Sequence, residues 1–120
     1  MDQSVAVGVD VGGTKLLVAL VAADGSILDR VRHDTPRTAR GIVDLITQGV
    51  RRVGDGRGLD DLPVGVGIAG LIDRTGVVRY APNLPLADFG LADSLGETLG
   101  REVAVDNDGN VAAWGEYRLG

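Results

Sequence analysis

The residues best suited to chemistry begin with a short segment near the start of the chain, Val9-Asp10-Val11-Gly12-Gly13-Thr14-Lys15. Glycines let backbone N–H groups approach an anion closely, and the ammonium of Lys15 adds a point charge. Lys15 is the only lysine in the sequence. The carboxylate of Asp10 can hold a metal ion or one of its waters. Together these groups suit the terminal phosphates of a nucleotide with Mg²⁺.

The same segment also has a simpler interpretation, because apolar runs flank it on both sides. Residues 5–9 precede it and residues 16–21 follow it, a pattern that predicts two strands joined by a tight Gly-Gly turn. The G-x-x-x-x-G-K-[ST] spacing of a Walker A loop is absent. Taken alone, the segment leaves a hairpin turn and a phosphate cradle as equal alternatives.

A second polar cluster, Asp106-Asn107-Asp108-Gly109-Asn110, follows a later apolar run. A carboxylate at this position can accept the proton of an attacking hydroxyl group. The alternative is an N-cap, since Asp or Asn at a helix start accepts backbone N–H bonds. One cap needs one residue, so capping does not explain the whole cluster, and catalysis or substrate binding is favoured.

Two loop segments, Ala69-Gly70 and Pro82-Asn83, form a third candidate group. Glycine permits close approach of a ligand, and the Asn amide offers both a donor and an acceptor to the vicinal hydroxyls of a sugar. Ordinary turn formation explains both residues as well, and taken alone it is the favoured interpretation.

Composition limits the classes of function. A chain of 120 residues corresponds to one domain, and 44% apolar residues suffice for a packed core. The formal charge of −5 argues against nucleic acid or an anionic membrane as a partner. No cysteine is present, so this sequence holds neither a disulfide nor a thiolate metal site.

The start of the chain, Met1-Asp2-Gln3-Ser4, lacks the cationic and apolar regions of a signal peptide. No apolar run approaches the length needed to span a membrane. We therefore expect a cytoplasmic protein with no membrane partner.

The periodicity of apolar residues predicts five strands and three helices. The strands are expected over residues 4–10, 16–23, 26–33, 63–69 and 102–105. The helices are expected over the apolar positions from Ile42 to Val53, over those from Leu91 to Leu99, and over residues 109–118. The order β-β-β-α-β-α-β-α predicts an α/β domain with a mixed five-stranded sheet, of the ribonuclease-H-like (actin/hexokinase-type ATPase) class.

In such sheets, ligands bind at the carboxyl ends of strands. Asp10, Gly70 and Asp108 all fall at or just past predicted strand ends. All three residues are thus expected where ligands bind in such sheets.

Four ordered motifs resemble the ROK family (repressors, open reading frames, kinases), which includes the bacterial-type glucokinases. They are G-V-D-V-G-G-T-K-L at 8–16, V-G-V-G-I-A-G-L-I-D at 64–73, Y-A-P-N-L at 80–84 and V-D-N-D-G-N-V-A-A-W-G-E at 105–116. Four motifs in order are more specific than any one alone, and they extend over nearly the whole chain.

The resemblance implies a sugar kinase that uses ATP and Mg²⁺. It assigns the contacts with ATP phosphates to Gly12, Gly13, Thr14 and Lys15, and orientation of Mg²⁺ through water to Asp10. It assigns contacts with a hexose to Gly70, Asn83 and Asn107. Asp108 is implied as the general base, which takes the proton from the primary hydroxyl of the sugar.

The chain departs from the family pattern in two residues and in length. Ala69 stands where Pro is common, and Gly109 where Ala is usual. Family members also have a second lobe with the adenosine site, an E-x-G-H motif and often a zinc site. The resemblance therefore implies that residues 1–120 are the N-terminal lobe of a two-lobe, actin-like kinase. Zinc would belong only to the absent lobe, the isolated chain would be inactive, and exposed apolar area would favour a homo-oligomer.

Two other functions stay open. A sugar-sensing ROK-type transcriptional regulator carries a DNA-binding domain ahead of this lobe, and the acidic charge and the early first strand disfavour it. A non-catalytic actin-like assembly module would not need Asp10 and Asp108. The phosphate donor, ATP or polyphosphate, is also open, as is the identity of the sugar.

Overall fold

The fold begins with an antiparallel three-stranded meander. The structure is a computed structural model that describes residues 5–54 and 62–107. The meander comprises β1 (Val5–Val11), β2 (Lys15–Ala22) and β3 (Ile27–Asp34). Gly25, in the β2–β3 turn, has φ 88°, a left-handed conformation that favours glycine. Asp-Gly between two apolar runs predicts a hairpin turn, and the structure confirms it at Asp24-Gly25.

The remaining elements are α1 (Ala39–Val53), β4 (Val64–Ile68), β5 (Leu71–Ile72), β6 (Val77–Tyr80), β7 (Phe89–Gly90), α2 (Leu91–Leu99) and β8 (Val103–Asp106). The main sheet has the order β3-β2-β1-β4-β8, in which β4 runs parallel to both β1 and β8. This arrangement confirms the predicted mixed five-stranded sheet, with β3 at one edge. The carboxyl ends of β1, β4 and β8 consequently meet at one edge of the sheet.

The two faces of the main sheet differ in the size of their side chains. On one face, alternate residues of β1, β2 and β4 join the buried residues of α1 in the main core, which includes Val9, Val18, Ile46 and Val66. Gly8, Ala19 and Gly65 share register positions on the other face. Asp10 pairs with Leu17 in that register, so Asp10 lies on the face opposite α1.

Helix α1 packs against β2 at very short range. A Cβ on Gly49 would lie 2.7 Å from Cγ2 of Val18, so a larger residue at position 49 would force the helix away from the sheet. Thr38 caps the helix, its hydroxyl oxygen accepting the N–H of Gly41 at 2.9 Å. At the end of α2, Gly100 has φ 70°, the left-handed conformation that glycine commonly adopts where a helix ends.

A second, smaller sheet has the order β5-β6-β7. The segment Arg74-Thr75-Gly76 has the composition of a small hairpin turn, and it joins β5 to β6 in the structure, whereas β7 was not predicted from the sequence. The carboxylate of Asp73 organises this turn, accepting bonds from the Thr75 hydroxyl at 2.7 Å and the Val77 N–H at 3.1 Å. Arg79 also donates to it, from Nε at 3.1 Å.

These bonds predict a specific pH dependence of stability. The Thr75 hydroxyl, together with the N–H of Val77, lowers the pKa of Asp73 from 3.8 to about 2. Because the folded-state pKa lies below the unfolded one, the contribution is complete above pH 4 and is lost as the pH falls toward 2. We expect Asp73→Asn to lower the melting temperature at pH 7, and the difference from the wild type to shrink between pH 4 and pH 2. A pH-independent difference in thermal melts would contradict this.

No helix in residues 5–54 or 62–107 is long and apolar enough to cross a membrane. The predicted helix over residues 109–118, and with it Asp108, lies outside the described residues. The last described residue is Asn107, one position past β8.

Candidate functional site

The glycine segment near the start of the chain forms the tight turn between β1 and β2. The N–H of Gly12 donates to the carbonyl of Lys15 at 2.9 Å, which leaves Gly13 and Thr14 at the tip of the turn. The turn is thus a hairpin, as the simpler interpretation predicted. Its position beyond the carboxyl end of β1 also leaves the phosphate-binding interpretation in place.

The two glycines of this turn are not explained by backbone conformation. Neither Gly12 nor Gly13 has a φ in the left-handed region. Close approach explains them better, because a Cβ on Gly12 would lie 3.1 Å from the Lys15 carbonyl oxygen. A Cβ on Gly13 would lie 3.0 Å from the Cβ of Asn83. The turn therefore touches the loop that carries a second predicted site residue.

Thr35 supports the turn from the side, a role that sequence reasoning missed. Its N–H donates to the carbonyl of Thr14 at 2.9 Å, and its hydroxyl donates to the carbonyl of Gly12 at 2.6 Å. Thr35 as a whole is only 6% exposed. Thr35 and Thr38 both precede α1 and are both of a residue type that caps helices, but only Thr38 has that role.

Thr35→Val is expected to lower the free energy of unfolding by about 0.5–1.5 kcal/mol, the usual net value of one hydrogen bond. Valine preserves the shape of the side chain and removes the donor to Gly12. Thr35→Ser retains the hydroxyl and serves as the matched control, with less loss than valine. The measurement is denaturant unfolding of the three proteins. Equal stability of Thr35→Val and the wild type would show that this bond contributes nothing.

Lys15 begins β2, and its ammonium forms an ion pair with the carboxylate of Asp34, its register partner in β3. The hydrogen bond from Lys15 lowers the pKa of Asp34, with the charge of the ammonium as a second cause. The side chains of Lys15 and Asp34 are 60% and 85% exposed. Exposed pairs contribute little stability, so the ammonium can leave Asp34 for a stronger anion at small cost.

Asp10 occupies a row of register partners at the carboxyl ends of three parallel strands. It pairs with Gly67 in β4, and Gly67 pairs with Asp106 in β8. Because register partners in neighbouring strands point to the same face, Asp10 and Asp106 share a face, and Gly67 places no side chain between them. Asp10 is half-buried.

The loop after β4 is seated on the end of β6. A Cβ on Gly70 would lie 2.2 Å from the carbonyl oxygen of Tyr80 and 3.1 Å from the Cα of Ala81. The chain then turns, with the N–H of Leu84 donating to the Ala81 carbonyl at 3.2 Å. Asn83 lies within this turn, exposed and with φ 64°. Gly70 and Asn83 therefore belong to one connected loop structure.

Asn107 follows β8 directly and is exposed. Its N–H donates to the carboxylate of Asp106 at 2.6 Å. The next residue, Asp108, was predicted as a catalytic base and lies outside the described residues. The described site residues thus fall into a cluster around the β1–β2 turn, the Asn83 loop and the end of β8.

Asp10 is the predicted site residue that could help to hold a metal ion. Among residues 5–54 and 62–107, no group of three or more His, Cys, Asp and Glu side chains is placed to hold a metal ion. Mg²⁺ does not need one, because it keeps several waters and takes one or two carboxylates together with phosphates of a ligand. Asp10 beside the β1–β2 turn fits that donor set.

Comparison with known proteins gives a consistent result. A model of the ROK family matches residues 6–120. A glucokinase from Streptomyces coelicolor is 39% identical over 115 residues, which cover 95% of this chain and 36% of that protein. The chain thus spans little more than a third of the length of this relative.

Solved structures agree with the sequence comparison. A ROK family glucokinase from Streptomyces griseus, in complex with glucose and AMPPNP, superposes with a TM-score of 0.81 at 41% identity. The match covers 98% of this chain and 37% of that one. An inorganic polyphosphate/ATP-glucomannokinase from Arthrobacter sp. strain KM superposes with a TM-score of 0.79 at 29% identity, covering 98% of this chain and 49% of that one.

Proposed function

Because this chain belongs to the ROK family, we propose that it forms the N-terminal lobe of a hexose kinase, with the rest of the protein supplying the second lobe. The observation that carries the proposal is the contact between Gly13 in the β1–β2 turn and Asn83. This contact joins a turn suited to phosphates with a loop suited to sugar hydroxyls. The similarity to a glucokinase complexed with glucose and AMPPNP supports the same assignment.

In this proposal, the donor phosphates lie against the β1–β2 turn. The backbone of Gly12, Gly13 and Thr14 approaches them, and Lys15 leaves Asp34 to meet their charge. Asp10 would hold a water of Mg²⁺, and an ion bound there would supply positive charge beside the phosphates. The donor is ATP, with polyphosphate as the alternative that the glucomannokinase similarity keeps open.

The acceptor sugar lies between the Asn83 loop and the end of β8. Gly70 fixes the loop, while the amides of Asn83 and Asn107 bind hydroxyl groups of the sugar. Asp108 takes the proton of the primary hydroxyl of the sugar. The oxygen of that hydroxyl bonds to the γ-phosphorus, while the bond between the γ-phosphorus and the oxygen that leaves with ADP breaks. Most of the catalysis then comes from positioning, which requires both lobes to exclude water.

The test is phosphorylation of a panel of hexoses by the full-length protein, with ATP and with polyphosphate as donors. We expect turnover with at least one hexose, glucose first, and none with residues 1–120 alone. Absence of turnover with every sugar and both donors would refute the kinase. Turnover by the isolated chain would refute the requirement for a second lobe and leave the kinase intact.

We also infer self-association and a cytoplasmic location, both as predictions. Leu71 and Tyr80, cross-strand neighbours in β5 and β6, are 66% and 58% exposed. Exposed apolar pairs of this kind favour contact with another surface.

A further inference from the structure

Gly13 and Asn83 approach each other more closely than a side chain at position 13 would allow without movement. A Cβ on Gly13 would lie 3.0 Å from the Cβ of Asn83, 3.6 Å from its carbonyl oxygen and 3.9 Å from its Cγ. Since Gly13 has no left-handed φ, its lack of a side chain is explained by this approach. An alanine would require Asn83 to move by a few tenths of an ångström.

Asn83 lies in a turn whose backbone is defined by contacts on two sides. Its φ of 64° lies in the left-handed region, which Asn adopts more readily than most residues other than glycine, and this backbone sets the direction of its Cα–Cβ bond. The turn that contains it is closed by the bond from Leu84 to Ala81. Ala81 is in turn seated against Gly70. The loop is therefore held between Gly70 on one side and Gly13 on the other.

We propose that Gly13 is a positioning residue for Asn83, and that this contact couples the phosphate-donor side of the site to the sugar side. The inference rests on the proposed kinase function and adds a regulatory property to it. A donor that orders the β1–β2 turn also orders the sugar loop, so each ligand strengthens the binding of the other. Such coupling must be reciprocal when it is measured as binding.

The experiment measures the dissociation constant of glucose for the full-length protein, with and without a non-hydrolysable ATP analogue. We expect the analogue to tighten glucose binding by about fivefold or more in the wild type. In Gly13→Ala, we expect glucose to bind more weakly without the analogue. The ratio of the glucose dissociation constants without and with the analogue should fall toward one. If Gly13→Ala raises the KM for glucose by a larger factor than it lowers kcat, the result would agree with displacement of Asn83.

Two further variants separate this contact from general damage to the turn. Gly12→Ala places its Cβ against the Lys15 carbonyl and away from Asn83. It should weaken binding of the analogue and leave glucose binding without the analogue unchanged. Asn83→Gly removes the Cβ that the methyl group added by Gly13→Ala would strike, and glycine tolerates the left-handed backbone. In that background, Gly13→Ala should have no additional effect on glucose affinity or on thermal stability.

Additive effects of Gly13→Ala and Asn83→Gly would overturn the proposal. So would wild-type coupling in Gly13→Ala, or an equal loss of glucose affinity in Gly12→Ala. These outcomes differ from failure of the proposed function, in which the wild type itself phosphorylates no hexose. If Gly13→Ala does not fold but the double variant does, the steric contact is supported directly.

Discussion

Replacing Asp108 by Asn in the full-length protein is expected to lower kcat by about 10²–10⁴-fold, the usual contribution of a positioned general base. The amide keeps an oxygen that can accept a hydrogen bond from the sugar, but it cannot take up the proton. The dissociation constant of the sugar should therefore change little. Steady-state kinetics and calorimetric titration with the same hexose measure the two quantities.

Asp106→Asn is the matched control for this experiment. It makes the same change of charge two residues earlier, at the end of β8, where the carboxylate accepts the N–H of Asn107. We expect a much smaller loss of kcat there. Near-normal kcat in Asp108→Asn would show that Asp108 is not the base. Equal losses in both variants would point to a general effect of negative charge at this strand end.

The main sheet could be predicted from the sequence because its elements follow local rules. Alternation and apolar runs marked β1 to β4, and helical spacing marked α1 and α2. Gly25 and Gly100 marked a turn and a helix end because both need a left-handed backbone. The short strand β7 escaped prediction, since two residues have no period and are defined only by pairing with Val77 and Val78.

The site could be predicted only as a set of separate motifs. When Asn83 is considered by itself, the sequence favours an ordinary turn. Nothing in the sequence shows that Gly13 lies against this residue. The role of Thr35 depends on the register of β2 and β3, which brings it opposite Thr14. Both features arise from contacts between segments that are far apart in the sequence, so a local sequence pattern cannot predict them.

The glycines illustrate the same limit, because they are required for different physical reasons. Gly25 provides a positive φ, while Gly49 lets α1 approach Val18. Gly70 was predicted to permit approach of a sugar. In the structure, its nearest constraint is the backbone of Tyr80 and Ala81. Its replacement should therefore act on the fold of the site before it acts on the ligand.

Gly70→Ala is accordingly expected to be strongly destabilising. Its Cβ would lie 2.2 Å from the Tyr80 carbonyl oxygen, and backbone cannot yield as the end of a flexible side chain can. Overpacking of this kind costs about 1–3 kcal/mol, and an increase in the KM for sugar should accompany it, because the displaced Ala81 belongs to the turn that holds Asn83. Denaturant unfolding and sugar kinetics of the full-length protein measure both effects.

Gly90→Ala provides the matched control, with the same added methyl group in the neighbouring small sheet. Gly90 has φ −77°, and apart from its two neighbours in the chain no residue has an atom within 4 Å of the position of its Cβ. Alanine should therefore leave both stability and sugar KM near the wild-type values. If Gly70→Ala and Gly90→Ala unfolded at the same denaturant concentration, the close contact between Gly70 and the end of β6 would not constrain the loop that contains Asn83. The proposed sugar-binding role of Asn83 would then depend only on its own turn and on Gly13.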